Sequence, residues 1–110
     1  MAHLPVDQRR RAVVDAAVEV IASEGLARAT TRRVAEKAQV PLGVIHYCFR
    51  SKDELNLLIL ERGRSTMQEA FAGLGPAGGF EAAVRESVTT YWHWIRDNIG
   101  LHLALMELLM

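Results

Sequence analysis

Between Arg28 and Lys52 the chain places six cationic side chains, Arg28, Arg32, Arg33, Lys37, Arg50 and Lys52, against one carboxylate, Glu36. Guanidinium and ammonium groups at that density suit a polyanion, because each phosphate they neutralise releases condensed counterions. Charge alone leaves a solvated helix face equally open. The formal net charge of zero conceals the asymmetry: residues 1–65 hold 11 Lys/Arg and 8 Asp/Glu, whereas residues 66–110 hold 2 and 5.

Other chemistries find little footing. No Gly-rich loop precedes a helix to cradle a nucleotide, and no nucleophile, base and acid can be assembled. The chain therefore reads as a non-enzyme without a cofactor. His3, His46, His93 and His102 are scattered, with no pair three or four apart on one helix, so no metal site is expected. Asp53 and Glu54 are better used as helix caps than as acid–base groups. The single cysteine, Cys48, excludes an intrachain disulfide and fits a reducing, cytoplasmic setting; a small buried filler is the simplest role for it. Met1 to Gln8 lack the charged-then-apolar pattern of a signal peptide, and no apolar run reaches the roughly 18 residues of a membrane span.

The elements that must position the basic run are all helical, since no segment of useful length alternates with period two. A first helix is predicted from Asp7 or Gln8 to Glu24, with Val13, Val14, Ala17, Val18, Val20 and Ile21 as its apolar stripe. Arg9, Arg10 and Arg11 stand at its N-terminal, dipole-positive end, where an anion would be welcome. Gly25 follows in a left-handed C′ position. Thr30 caps a second helix that carries Val34, Ala35 and Ala38 on one face and stops near Gln39, because Pro41 disfavours helix at Val40. A third, short helix covers Leu42 to Phe49. Ser51-Lys52-Asp53-Glu54 has the form of a capping box and opens a fourth helix reaching about Phe71, with Leu55, Leu58, Ile59, Arg62 and Met67 at helical spacing. Gly73 to Gly79 break the chain. A fifth helix, Phe80 to Asn98, is expected to bury Val84, Val88, Trp92, Ile95 and Ile99. Gly100 ends it, and a sixth begins near Leu101.

Two short helices joined by a tight turn and flanked by longer ones form a helix-turn-helix pattern, here from about Thr30 to Lys52. Ala35 is small enough for a close helix crossing. Val34, Ala38, Val40 and Ile45 pack the inside, and Leu42, Gly43, Val44, His46 and Tyr47 are offered to a major groove. Over roughly residues 9–64 the chain resembles the TetR (tetracycline repressor) family of bacterial regulators. The matching residues are Arg10-Arg11, Gly25-Leu26, Thr30 through Ala38, Val40-Pro41-Leu42-Gly43, Ile45, the aromatic cluster ending in Phe49, and Ser51 through Leu55. Tyr91 through Leu105 is similar to the start of that family's ligand domain.

The resemblance implies an all-α regulator. Residues 1–50 would form a three-helix DNA-binding domain, residues 51–72 a connecting helix, and residues 79–110 the start of a truncated ligand-binding and dimerisation domain. Partners implied are a double-stranded, pseudopalindromic DNA operator, a small-molecule effector and a second copy joined through C-terminal helices, usually with repression as the outcome. DNA contacts implied are Thr30, Thr31 and Arg32 at the second helix's start, Leu42, Gly43 and Val44 at base edges, and Lys52 at phosphate. The family's phosphate-contacting tyrosine falls on His46 with Tyr47 beside it, and either can serve. Where the family has glycine in the turn, Gln39 stands here, at a cost of about 1 kcal/mol if φ is positive. Trp94 and Met106 are candidates for a ligand cavity, with packing as the alternative. The competing function is a helical protein-interaction module that keeps the fold without reading DNA.

Overall fold

The computed structural model describes residues 6–75 and 78–110. Part of the predicted break, Pro76 and Ala77, and the first five residues, among them His3, lie outside that range. The described residues form six α-helices and one 3-10 turn, with no strand among them. In order they are α1 (Val6–Glu24), the 3-10 turn (Leu26–Arg28), α2 (Thr31–Ala38), α3 (Leu42–Cys48), α4 (Lys52–Phe71), α5 (Gly79–Asp97) and α6 (Ile99–Leu109). The all-α expectation holds.

Local chemistry sets most of the boundaries. Thr30 Oγ1 accepts the Arg33 N–H at 3.1 Å and so starts α2. Ser51 Oγ does the same for Glu54 N–H at 3.2 Å and starts α4. Each replaces one orphan bond of a helix N-terminus. The capping box is only half formed, however. Glu54 Oε2 accepts from the Arg50 N–H rather than from Ser51, because its other oxygen is drawn to Arg10. Gly25 has the expected positive φ of 91°, yet its ψ of 158° is extended rather than left-handed helical, a region essentially reserved for glycine.

The core is built around α1. Val13, Val14, Ala16, Ala17, Val20 and Ile21 are buried along it. Against them lie Val34 and Ala35 of α2, Ile45 and Cys48 of α3, Phe49, Leu55 and Ile59 of α4, and Leu101, Ala104 and Leu105 of α6. Helix α1 thus packs against α2 and α3 and, equally, against α6. Cys48 is buried, as a filler would be.

Two expectations fail in the C-terminal part. Gly100 does not end α5. Asn98 does so, with φ −130° and ψ 41°, and it bonds in both directions: its N–H and its amide reach Trp94 O, while its own carbonyl accepts from His102 N–H. Gly100 lies inside α6. The buried stripe of α5 is also largely the other one, although Ile95 is half-buried against the core as expected. Val84, Val88, Trp92 and Ile99 are exposed, and Trp92 retains 64% of its surface. It is Trp94 that is buried, with its indole N–H donating to Thr66 Oγ1 at 3.2 Å, its ring stacked on Tyr91 and edge-on to His102. Periodicity separates two faces of a helix but does not say which one meets a neighbour.

Gly63 of α4 leaves the space that Leu105 of α6 fills. A Cβ there would lie 2.5 Å and 2.9 Å from the methyl carbons of Leu105 and 3.2 Å from its Cγ. Glycine in a helix interior ordinarily costs about 1 kcal/mol against alanine. Gly63→Ala nevertheless is expected to lower the melting temperature, because overpacking costs about 1–3 kcal/mol. Gly43→Ala, where the added carbon meets nothing within 4 Å, should raise it. Paired thermal melts check the opposite signs, and a stabilised Gly63→Ala would contradict the close packing.

Candidate nucleic-acid interface

The turn between α2 and α3 is a complete Schellman closure. Gln39 has φ 59° and ψ 43°, the left-handed conformation. Its N–H bonds Glu36 O at 3.1 Å, and the Val40 N–H bonds Ala35 O at 3.0 Å. Pro41, with φ −61°, then caps α3. The chain reverses over Gln39–Pro41 with its backbone satisfied, and Ala35 lies 4% exposed where the two helices cross.

This turn presents α3 outward. Ile45 and Cys48 face the core. Gly43, His46 and Tyr47 are exposed, Tyr47 by 71%, and Leu42 and Val44 are half-buried. Thr30 and Arg32 are exposed beside them and Thr31 is half-buried. Of the expected DNA-facing residues, Leu42 and Val44 thus pack partly against the core, while Thr30, Arg32, Gly43, His46 and Tyr47 are exposed. A crevice of about 110 Å³ opens next to them, lined by Thr31, His46, Arg50, Ser51 and Lys52 above Ile45, Phe49 and Leu55. His46 borders this crevice and Tyr47 does not.

The six cations divide into two groups. Arg33 is committed to the fold: its Nε and Nη2 hold the Glu24 carboxylate at 3.0 Å and 2.6 Å, and its Nη1 lies 3.6 Å from Glu36. The hydrogen bond from Arg33 keeps Glu24 below its ordinary pKa of 4.5 and raises Arg33 in turn. Lys37 pairs with Glu19 at 3.5 Å. Lys52 Nζ donates to the Ala29 carbonyl, and burial lowers its pKa. Arg28, Arg32 and Arg50 make no ion pair among the described residues. Arg50 was not singled out from sequence, although it belonged to the basic run.

The two residues put forward for a ligand cavity separate. Trp94 borders a cleft between α4 and α5 with Thr66, Glu69, Thr90, His93 and Asp97. Met106 borders another, between α1 and α6, with Ile21, Ala22 and Leu103.

A short helix pair closed by a left-handed turn and braced by a third helix defines the helix-turn-helix class. Residues 13–58 match the model for bacterial regulatory proteins of the tetR family. The nicotine-responsive transcriptional repressor HdnoR of Paenarthrobacter nicotinovorans is 43% identical over 47 residues, 43% of this chain and 24% of that protein. The transcriptional regulator SrpR of Pseudomonas putida is 30% identical over 79 residues, 71% of this chain and 37% of that protein. The crystal structure of a TetR-family regulator from Haemophilus influenzae superposes with a TM-score of 0.75 at 20% identity, covering 93% of this chain and 56% of that one. Residues 13–58 of this chain thus carry the TetR-family match. The chain spans less than two thirds of the length of each of these proteins.

Two outcomes test this geometry. Gln39→Gly should raise stability by about 1 kcal/mol by relieving the left-handed strain, a shift of roughly 4–8 °C in the melting temperature. An unchanged or lower value would mean that the turn is unstrained. For Glu24 the folded pKa is depressed, so its contribution is complete above the ordinary 4.5 and is lost as pH falls through the lowered folded value. Urea melts of Glu24→Gln should therefore show a penalty near pH 7 that shrinks towards about pH 3; equal penalties would rule out a charge-based clamp.

Proposed function

We propose that the α2–α3 unit reads duplex DNA and that the protein is a transcriptional regulator. The observation that carries this is the exposed outer face of α3 at Gly43, His46 and Tyr47, with Arg32 and Arg50 exposed and outside any ion pair among the described residues. Leu42, Gly43 and Val44 open α3 and would meet base edges, Gly43 by close backbone approach and Val44 at a thymine methyl. Thr30, Thr31 and Arg32 at the start of α2 would meet the backbone or a guanine edge.

The crevice bordered by Thr31, His46, Arg50 and Lys52 suits a phosphate. Lys52 donates one hydrogen bond to Ala29 O and retains two N–H donors. An arriving phosphate favours the charged form that burial disfavours. His46 is the better-placed of the two candidate rings, with Tyr47 left for the groove.

The domain division at about residue 50, a connecting role for α4, and a ligand-binding and dimerisation role beginning in α5 belong to the same proposal. So do a cytoplasmic homodimer on a pseudopalindromic operator and release by a small effector. The name of HdnoR, a nicotine-responsive repressor, supports a ligand-responsive repressor. Of the two clefts, the one beside Trp94 lies against the connecting helix α4 and is the better placed for an effector.

Salt dependence separates this reading from a protein-docking role of the same face. Binding to duplex DNA should fall steeply as salt rises, with log K declining by about 0.9 per phosphate neutralised for each unit of log salt. Arg32→Ala should cost about 1–3 kcal/mol and relax preference at one base position. A selection of bound sequences followed by anisotropy titrations measures both. No binding to any duplex at low salt would leave the protein-docking alternative.

A further inference from the structure

The corner between α3 and α4 contains a charge that opposes its proposed use. Glu54 is in the first turn of α4, and its Oε2 accepts the N–H of Arg50, one of the crevice residues. A carboxylate so near would repel a phosphate seated against Arg50, Ser51 and Lys52. It is met from the far end of the sequence. Arg10, 44 residues earlier on α1, places Nη2 3.0 Å from Glu54 Oε1, and its guanidinium carbon lies 5.4 Å from the centre of the Phe49 ring. Phe49 is 4% exposed and is the cap residue that closes α3. One guanidinium therefore meets the residue that caps the end of α3 and the first turn of α4 together.

We infer that Arg10 is a positioning residue for DNA binding: it neutralises and aims Glu54 so that the α3–α4 corner can accept a phosphate. The inference rests on the DNA-binding reading above. Arg10 pairs with Glu54 from one side while the Arg50 N–H bonds it from another. The guanidinium's contacts with Glu54 and Phe49 assign it to this corner rather than to DNA. Without it, Glu54 keeps its place as an N-terminal helix residue but carries an uncompensated charge beside the crevice.

The test is a set of anisotropy titrations with a labelled duplex of mixed sequence at low salt, on protein shown by circular dichroism to be fully folded at the temperature used. Wild-type binding comes first; its absence would overturn the DNA-binding reading itself. Given binding, Arg10→Ala should weaken affinity roughly tenfold, about 1.4 kcal/mol. The slope of log K against log salt should become shallower, because the corner no longer seats its phosphate. Glu54→Gln in the Arg10→Ala background should restore most of the loss, since the opposing charge goes with it. Three results would overturn the inference. A slope that stays reduced by about 0.9 in the double variant would make Arg10 itself a phosphate contact. Failure of Glu54→Gln to rescue would make the Arg10 effect purely structural. Unaltered affinity in Arg10→Ala would remove the role altogether.

Discussion

Helix α1 has to satisfy two sets of neighbours with one narrow strip of small and β-branched residues. Val13, Ala17, Val20 and Ile21 have essentially no exposed surface because α2 and α3 close over them from one side and α6 from the other. Ala17 and Ala16 matter as much as the larger residues, since close packing of helices needs short side chains where backbones near one another. The DNA-facing pair and the C-terminal helices therefore share a single core. Neither can shift against α1 without changing what the other packs on. That shared strip couples the packing of the two halves of the chain.

Ion pairs then fix where the helix-turn-helix sits on this strip. Glu24 at the end of α1 holds Arg33, Glu19 in its middle pairs with Lys37, and Arg10 near its start holds Glu54. These pairs are partly or largely exposed, and pairs of that kind contribute little to stability singly. Their effect is on register and on the electrostatic surface. They remove Arg33 and Lys37 from the cations available to a partner and leave Arg28, Arg32, Arg50 and the remaining donors of Lys52. The basic run is thus smaller as a binding surface than as a composition.

Much of this was legible along the chain, and the reasons are local. Thr30 and Ser51 announce helix starts through hydroxyls that reach three residues ahead. Pro41 limits α2, and Gln39 falls where a left-handed residue is needed. The features that stayed hidden are those with no local signature. Arg10 and Glu54 are 44 residues apart, and nothing near either predicts the other. Gly63 reads as an ordinary helix residue until Leu105 is placed against it. The faces of α5 were inverted because the stripe of Val84, Val88 and Trp92 is the more apolar one, whereas the packed face is held by a hydrogen bond from Trp94 to Thr66. The turn between α2 and α3 was readable because both helices are short and Pro41 limits the first of them. The commitments of their charged side chains were not, because those depend on α1.

The inverted face of α5 leaves two indoles, two residues apart in sequence, in opposite surroundings. Trp94 is enclosed, hydrogen-bonded to α4 and stacked on Tyr91, while Trp92 stands in solvent. Their emission can be separated with an aqueous quencher, which reaches the one and is excluded from the other. The chain accordingly carries its own optical gauge of the α4–α5 contact, with an internal reference beside it and no label to attach.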